Sequence, residues 1–304
     1  MRWSYLFILL LFTSFNYPKE EKPYVVILGI AQDAGYPQVG CNKECCQKVY
    51  EKKTTKQLVS CIAIVDPVSH QKWIIDATPD FPEQIKMLDD HQSGDISGIF
   101  LTHAHIGHYT GLMYLGREAM NANNIPVYAM PRLYDYIKTN GPWSQLVTLH
   151  NIGLRKLKAD SIVQLNERIS IQPLSVPHRD EFSETVGYLI KAGWKSVLFI
   201  PDIDKWNKWE KDIREFVQQC DYLFLDGTFY KDDELPGRNM AEIPHPFVPE
   251  SMELFNKLRV EDKRKIWFLH FNHTNPLLRK ESAEYKEVRN RGFNVASQGQ
   301  LITF

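Results

Sequence analysis

The segment Leu101–His108 reads Leu-Thr-His-Ala-His-Ile-Gly-His and follows a strand-like apolar run that begins at Ile96. Alternate side chains at the end of a strand share a direction, so His103 and His105 can approach one metal ion. The chain then turns and directs His108 to another side. Three of the ten histidines of the chain fall in this segment, and imidazole is the commonest metal ligand. The pattern therefore predicts a metal centre.

The composition is that of a globular protein with a large core. Of the 304 residues, 43% are hydrophobic and 24% are charged, and the formal net charge is −1. Binding to nucleic acid through bulk charge is not expected, because the sequence has no basic stripe with interleaved aromatic residues. We expect a small-molecule substrate as the partner. The sequence does not determine the oligomeric state.

The first 22 residues carry a separate signal. Arg2 supplies a positive charge, residues 5–12 form an unbroken apolar run, and Pro18–Lys22 is polar. This pattern is typical of an export signal, and the apolar run is far shorter than the ~20 residues of a membrane span. We expect an exported, periplasmic or extracellular protein, tethered to the membrane only if this segment is retained. A buried strand is the alternative for the apolar run.

Beyond residue 22, short β-branched runs alternate with helical stretches, which predicts an α/β fold in one domain, residues 23–304. Several predicted strands end in, or lead into, a polar side chain suited to metal binding or acid–base chemistry. These residues are Asp76, His103, His178, Asp202, Asp226 and His270. Loops at strand ends are where an α/β scaffold places its site.

These residues predict sites for one or two metal ions. The first set is His103, His105 and His178, and the second set is His108, Asp202 and His270. The carboxylate of Asp202 can bridge two ions. Such a pair lowers the pKa of bound water to about 7 and holds the attacking and leaving oxygens. Asp76 is expected to orient a histidine or a ligand water without binding the ion itself.

Three cysteines, Cys41, Cys45 and Cys46, lie close together in one loop. Three soft ligands at this spacing suit a structural zinc that a distant residue completes. A disulfide is the alternative, and an oxidising compartment would favour it. Cys61 and Cys220 lie in apolar sequence and are expected to be buried thiols.

The order and spacing of these motifs resemble those of the metallo-β-lactamase superfamily over essentially all of residues 23–304. The resemblance implies a four-layer αββα sandwich and a hydrolase with one or two active-site zinc ions, iron and manganese being the alternatives. Within the superfamily, Gly29–Cys41, Gly111-Leu112 and Asn272–Pro276 resemble the pyrroloquinoline-quinone biosynthesis B group.

A related group, the cyclic-phosphate phosphodiesterases, is similar in its Gly-Cys loop, where three thiolates and a later histidine hold a structural zinc. By this resemblance His245 is the fourth ligand of Cys41, Cys45 and Cys46. The usual Cys-x-Cys-x-x-Cys pattern is altered here, because Lys43 stands at the position of the middle cysteine.

Two positions depart from the superfamily pattern. Gly107 replaces an aspartate that binds the second ion in relatives, so the resemblance implies a weaker second site with one negative charge fewer. Gly107→Asp is expected to tighten that site if the loop accepts a side chain. His273 stands where the related motif has asparagine, and we expect it to compensate as a ligand or as a general acid.

We therefore expect a metallohydrolase in which metal-activated water attacks a phosphodiester, a lactone or a similar ester. The candidate catalytic residues are Asp76, Asp202 and His273. An iron-dependent oxidase or oxygenase of the quinone-cofactor biosynthesis type is the alternative, although export would argue against it. A non-catalytic metal-binding protein is the third hypothesis, motivated by Gly107.

Overall fold

A computed structural model describes residues 21–179, 181–235, 237 and 239–304. The predicted export segment lies outside these residues, apart from its last two positions. Within the described part of the chain, no helix is both long enough and apolar enough to cross a membrane.

Fourteen strands occur among the described residues. In chain order they are β1 (Tyr24–Gly29), β2 (Cys61–Asp66), β3 (Gln71–Ile75), β4 (Gly98–Phe100), β5 (Ile125–Ala129), β6 (Ile152–Lys156), β7 (Val163–Gln164), β8 (Ile169–Ser175), β9 (Val186–Ala192), β10 (Lys195–Ile200), β11 (Tyr222–Asp226), β12 (Ile266–Leu269), β13 (Asn294–Val295) and β14 (Leu301–Thr303).

Helices lie between these strands. The α-helices of the described residues are α1 (Glu44–Tyr50), α2 (Phe81–Asp89), α3 (Ile106–Tyr109), α4 (Pro131–Thr139), α5 (Trp143–Thr148), α6 (Ile213–Gln219), α7 (Val248–Leu254), α8 (Val260–Lys263) and α9 (Ala283–Asn290). Short 3₁₀ turns cover Thr110–Leu115, Trp206–Lys208, Met240–Glu242 and Pro276–Leu278.

The strands form two mixed sheets of seven. The first sheet has the order β14-β1-β2-β3-β4-β5-β6 and the second has the order β13-β12-β11-β10-β9-β8-β7. Strands β3 to β6 run parallel in the first sheet, and β10 to β13 run parallel in the second. The carboxyl ends of parallel strands are where open α/β sheets bind ligands.

Both faces of the first sheet are buried, which explains its unbroken apolar strands. Val25 and Ile27 of β1 pack in the core shared with the second sheet. Val26 and Leu28 point to the other face and pack with α2 and α4. Because neighbouring side chains of a strand alternate between faces, one strand serves both cores. The predicted four-layer αββα sandwich is confirmed.

The sequence pattern predicts one helix over Lys205–Gln219, with Asp204 as its cap, and another over Gly111–Asn121, and both are shorter in the structure. The helix expected over Lys205–Gln219 starts at Ile213, where Asp212 caps the amide of Arg214, and not at Asp204. Trp209 lies before Ile213, in the part of the predicted helix that does not form. It donates its indole N–H to the carbonyl of Ser175 at 2.7 Å. This tertiary contact holds the segment outside helical geometry.

The helix expected over Gly111–Asn121 is a 3₁₀ turn that ends at Leu115. A Cβ at Gly111 would lie 2.1 Å from the carbonyl oxygen of Thr78, so the backbone approaches this strand-end loop as only glycine allows. Four short strands, β6, β7, β13 and β14, were not predicted, because two to five residues give little periodicity.

The two sheets are joined directly at the start of the histidine segment. The phenol of Tyr188 in β9 donates to the carbonyl of Leu101 at 2.6 Å, and the amide of Val186 donates to the carbonyl of Thr102 at 3.1 Å. The ring of Tyr188 also meets Phe100 edge to face. These contacts fix the position of the backbone directly before His103, where the chain leaves the first sheet.

We predict that Tyr188→Phe lowers the free energy of unfolding by about 1–3 kcal/mol, because a buried carbonyl loses its phenol donor. Chemical denaturation measures this change. Tyr50→Phe is the control, since Tyr50 is exposed. Equal stability of Tyr188→Phe and Tyr50→Phe would contradict the structural role of the contact.

Candidate metal centres

Asp202 follows β10 and is buried among histidines from both sheets. One carboxylate oxygen, Oδ2, lies 3.3 Å from His103 Nε2 and 3.9 Å from His105 Nδ1. The other, Oδ1, lies 3.1 Å from His178 Nε2. His103, His105, His178 and Asp202 form the first ligand cluster, in which each residue offers an atom within 4.8 Å of the others.

A second ligand cluster shares Asp202 and consists of Asp33, His108, Asp202 and His270. The Nε2 atom of His108 lies 3.9 Å from Asp202 Oδ2, and that of His270 lies 3.8 Å from the same oxygen. The two Nε2 atoms are 3.3 Å apart. The structure thus brings together the six active-site ligands predicted from the sequence and adds Asp33 to them.

Hydrogen bonds behind the histidines set the ring nitrogen that each presents to an ion. His108 Nδ1 lies 2.7 Å from Asp76, and His178 Nδ1 lies 3.3 Å from Asp204. A carboxylate only accepts, so each Nδ1 carries a proton, and Nε2 is the atom that would bind a metal. Asp76 therefore orients His108 without facing the ion.

Two threonines act in the same way for His103 and His270. The hydroxyl of Thr102 donates to Asp76, and it lies 2.9 Å from His103 Nδ1. The hydroxyl of Thr228 donates to Asp226 at 2.6 Å and lies 3.0 Å from His270 Nδ1. Because each hydroxyl has given its proton to an aspartate, it can only accept from the imidazole. Both Nε2 atoms remain free to bind.

Buried atoms without hydrogen-bond partners show that the clusters fit metal ions. His178 Nε2 and Asp202 Oδ1 are buried and lack a partner, although they lie only 3.1 Å apart. Buried polar groups are normally satisfied, because leaving them unpaired costs free energy. A divalent cation among these atoms would satisfy them, and the nitrogen–carboxylate donor sets suit zinc.

The charges of the ligands also fit cations. Burial opposes ionisation of Asp202, but the surrounding histidines, His178 first, hold its pKa well below the usual range. The pKa of Asp33 is likewise low, because hydrogen bonds with His108 and His270 outweigh burial. Burial, together with the neighbouring His108, holds the pKa of His103 well below its usual value. Ionised carboxylates and a neutral imidazole are the forms that bind metals.

The thiolate cluster consists of Cys41, Cys45, Cys46 and His273. All five cysteines of the chain are free in this structure, and the sulfurs of Cys45 and Cys46 are 4.0 Å apart, which is beyond bonding distance. Burial raises the pKa of the Cys46 thiol to about 12, so this residue would become a thiolate only beside a cation such as a bound metal ion. His273 Nδ1 is buried without a partner and is suited to complete a four-coordinate structural zinc site.

His245 does not join the three cysteines, which corrects the expectation for this residue. Its Nδ1 lies 2.8 Å from Asp226 and 3.1 Å from Asp202. The reason lies in its loop, which follows β11 and is tied back to that strand end where the amide of Val248 donates to the carbonyl of Phe229. His245 is thus a neighbour of the first ligand cluster. His273 takes its place beside the thiols, where it belongs to the thiolate cluster.

Asp33 is the site residue that the sequence reasoning missed. Asp33 lies just after the end of β1, and a polar residue after a strand is the signal that identified the other ligands. Asp33 has no histidine next to it in the sequence, however, so this signal was weak. The presence of Asp33 overturns the expected loss of a negative charge at the second cluster. The condition attached to Gly107→Asp is not met: a Cβ at residue 107 would lie 2.4 Å from the Cα of Asp33, so the loop does not accept a side chain there.

Comparison with known proteins agrees with this geometry. Residues 72–271 match the family described as the beta-lactamase superfamily domain. The chain belongs to this superfamily. Its resemblance to the pyrroloquinoline-quinone biosynthesis B group is confirmed by superfamily members such as coenzyme PQQ synthesis protein B of Xanthomonas campestris pv. campestris. That protein is 26% identical in an alignment that covers 92% of this chain and 99% of the relative.

Two solved superfamily structures share the fold. The zinc-bound PqqB from Methylobacterium extorquens has a TM-score of 0.78 at 24% identity and covers 92% of this chain and 100% of its own. A diphosphatase of the PhnP family has a TM-score of 0.65 at 21% identity and covers 93% of this chain and 98% of its own. The metallo-β-lactamase fold is therefore established for this chain.

We predict that Cys46→Ser and His273→Ala each remove one sulfur-bound zinc and lower the melting temperature, because a closed zinc site adds folding free energy. The ion at His103 should be affected less. Metal analysis, zinc X-ray absorption and thermal melting measure these changes. His245→Ala is the control and should keep sulfur neighbours around zinc. If His245→Ala loses the sulfur neighbours around zinc and His273→Ala keeps them, His245 is the fourth ligand after all.

Proposed function

We propose that this protein is a metal-dependent hydrolase that uses metal-activated water on a phosphodiester, a lactone or a similar ester. One observation carries the proposal: the buried carboxylate of Asp202 lies between two ligand clusters and contributes an oxygen to each. This arrangement suits two ions that share one ligand. A diphosphatase among the proteins with this fold supports hydrolysis at phosphorus as one of these reaction classes.

Two divalent ions, zinc or alternatively iron or manganese, would supply Lewis acidity and a water whose pKa is lowered to about 7. The chain supplies their positions. His103, His105 and His178 would hold the first ion. The second ligand cluster would hold the other, and the shared carboxylate of Asp202 would fix their separation.

Carboxylates around the ligands hold them in position through hydrogen bonds. Asp226 accepts from the amides of Ile203 and Thr228 and contacts His245 at 2.8 Å. It therefore fixes the turn that follows Asp202 and the hydroxyl that orients His270. Asp76 does the same for the first sheet. Such outer partners typically change metal affinity or activity by about 10–100-fold when they are removed.

The edge of the site favours a small organic substrate. Glu181 Oε2 lies 3.8 Å from His105 Nε2. Next to these two residues, Phe182 and Ile106 are 59% and 63% exposed. The ring of Phe182 lies 5.4 Å from that of Tyr136. Apolar side chains beside a polar centre provide contact area for the carbon skeleton of a substrate.

We predict that zinc- or manganese-loaded protein hydrolyses at least one member of a panel of aryl phosphodiesters, lactones and aryl esters. Asp202→Asn should lower kcat/KM by more than about 100-fold, exceeding the usual effect of an outer partner, and should release both active-site ions. Activity and metal content are measured together.

Asp221→Asn is the matched control. Asp221 precedes β11 and binds the amide of Ser196 near the start of β10, whereas Asp202 follows the other end of that strand. This variant should keep its activity and its ions. Wild-type turnover that persists in Asp202→Asn would contradict hydrolysis at this centre.

An iron-dependent oxidase or oxygenase of quinone-cofactor biosynthesis is the second candidate. The similarity to coenzyme PQQ synthesis protein B favours it, and a cluster rich in histidine is compatible with iron. The export that we propose for residues 1–22 argues against it, because the peptide precursor of that pathway is cytoplasmic. Oxygen consumption by iron-loaded protein with tyrosine-derived quinone precursors, without hydrolysis of any ester, would favour this candidate. If neither activity is found, the remaining hypothesis is a non-catalytic metal-binding protein.

A further inference from the structure

The backbone at Gly107 leaves no room for a side chain, and Asp33 fills that space. A Cβ built at residue 107 would lie 2.4 Å from the Cα of Asp33 and 2.5 Å from its Oδ1 atom. Real Cβ atoms essentially never approach other heavy atoms this closely. The carboxylate that could not come from residue 107 is therefore already present, supplied by the loop after β1.

The Asp33 carboxylate faces the free nitrogens of the second ligand cluster. Its Oδ1 lies 3.1 Å from His108 Nε2 and 3.7 Å from His270 Nε2. Because His108 Nδ1 donates to Asp76 and His270 Nδ1 donates to the hydroxyl of Thr228, the Nε2 atoms are the ones available to an ion. Asp202 Oδ2 completes the set. Two nitrogens and two carboxylates make four protein ligands for one divalent ion.

Backbone contacts hold Asp33 in this position independently of a metal. The amide of Gln32 donates to the carbonyl of Phe271 at 2.8 Å, and the amide of Phe271 donates to Ile30 at 2.8 Å. The side chain of Asn272 donates to Gln32 at 2.7 Å. The residue before Asp33 is thus bonded to the residues that follow His270, so the two ligands are positioned together.

We propose that Asp33 is a ligand of the second active-site ion and replaces residue 107 in that role. The proposal rests on the two-ion centre of the proposed function, but it concerns this chain's own ligands and is tested by metal binding alone. Gly107 is then required: it makes space for the relocated carboxylate, and its lack of a side chain does not weaken the site.

The test is a titration of metal-free protein with Zn²⁺, followed by dialysis and metal analysis. Wild type should bind three ions: two at the active site and one at the thiolate cluster. Asp33→Asn removes the charge and keeps the shape of the side chain. It should bind two ions as wild type does and the third at least about 10-fold more weakly.

Glu181→Gln is the matched control for loss of a negative charge near the centre, because Glu181 faces His105 from an exposed position. It should keep all three ions. If Asp33→Asn binds all three ions with wild-type affinity, Asp33 is not a ligand and the proposal is overturned. If wild type itself binds a single active-site ion, the two-ion centre fails along with the proposal. This failure differs from a failure of the Asp33 assignment, because it is seen in wild type and needs no change at residue 33.

Gly107→Ala provides a second route to the same answer. The methyl group would displace Asp33, so this variant should lose the same ion as Asp33→Asn. The variant that combines Asp33→Asn with Gly107→Ala should bind the third ion no more weakly than either single variant, because both substitutions remove the same interaction. Additive losses, or unchanged zinc binding by folded Gly107→Ala, would contradict the relocation. If Gly107→Ala does not fold, the result for Asp33→Asn decides.

Discussion

Both oxygens of the buried Asp202 carboxylate face imidazoles, and this contact determines how the two sheets meet at the site. Oδ1 is 3.1 Å from His178 and from His245, and Oδ2 is 3.3 Å from His103. Burying a carboxylate costs several kcal/mol unless opposite charge compensates it. Metal ions would provide this charge while leaving the imidazoles neutral. The ligands of the first sheet and those of the second are then held by a shared centre.

The thiolate cluster and the second ligand cluster use the same two segments of the chain. Asp33 and Cys41 lie in the loop after β1, and His270 and His273 lie just after β12. A zinc ion bound by Cys41 and His273 would clamp together the segments that carry Asp33 and His270. The structural ion therefore adds stability where the active site needs two loops to keep their separation. The phenol of Tyr36 strengthens the clamp by donating to the carbonyl of Cys45 at 2.9 Å.

Much of this arrangement could be predicted from the sequence, because strand patterns are local and polar residues at strand ends are conspicuous. Asp76, His103 and Asp202 were identified in that way. The position of His245 could not be, since proximity to the thiols depends on the path of a long loop. His273 lies only three residues beyond His270, yet it faces a different cluster. Asp33 was missed because its role depends on the empty space at Gly107, which is a property of the backbone in three dimensions.

Anomalous diffraction at the zinc edge from crystals of the full chain tests the central claim most directly, because it locates each ion among its ligands. The account predicts three peaks. Two should lie about 3.5–4 Å apart, with Asp202 between them, and the third should lie among Cys41, Cys45, Cys46 and His273. A single active-site peak, or a pair of ions that Asp202 does not touch, would contradict the shared-carboxylate centre.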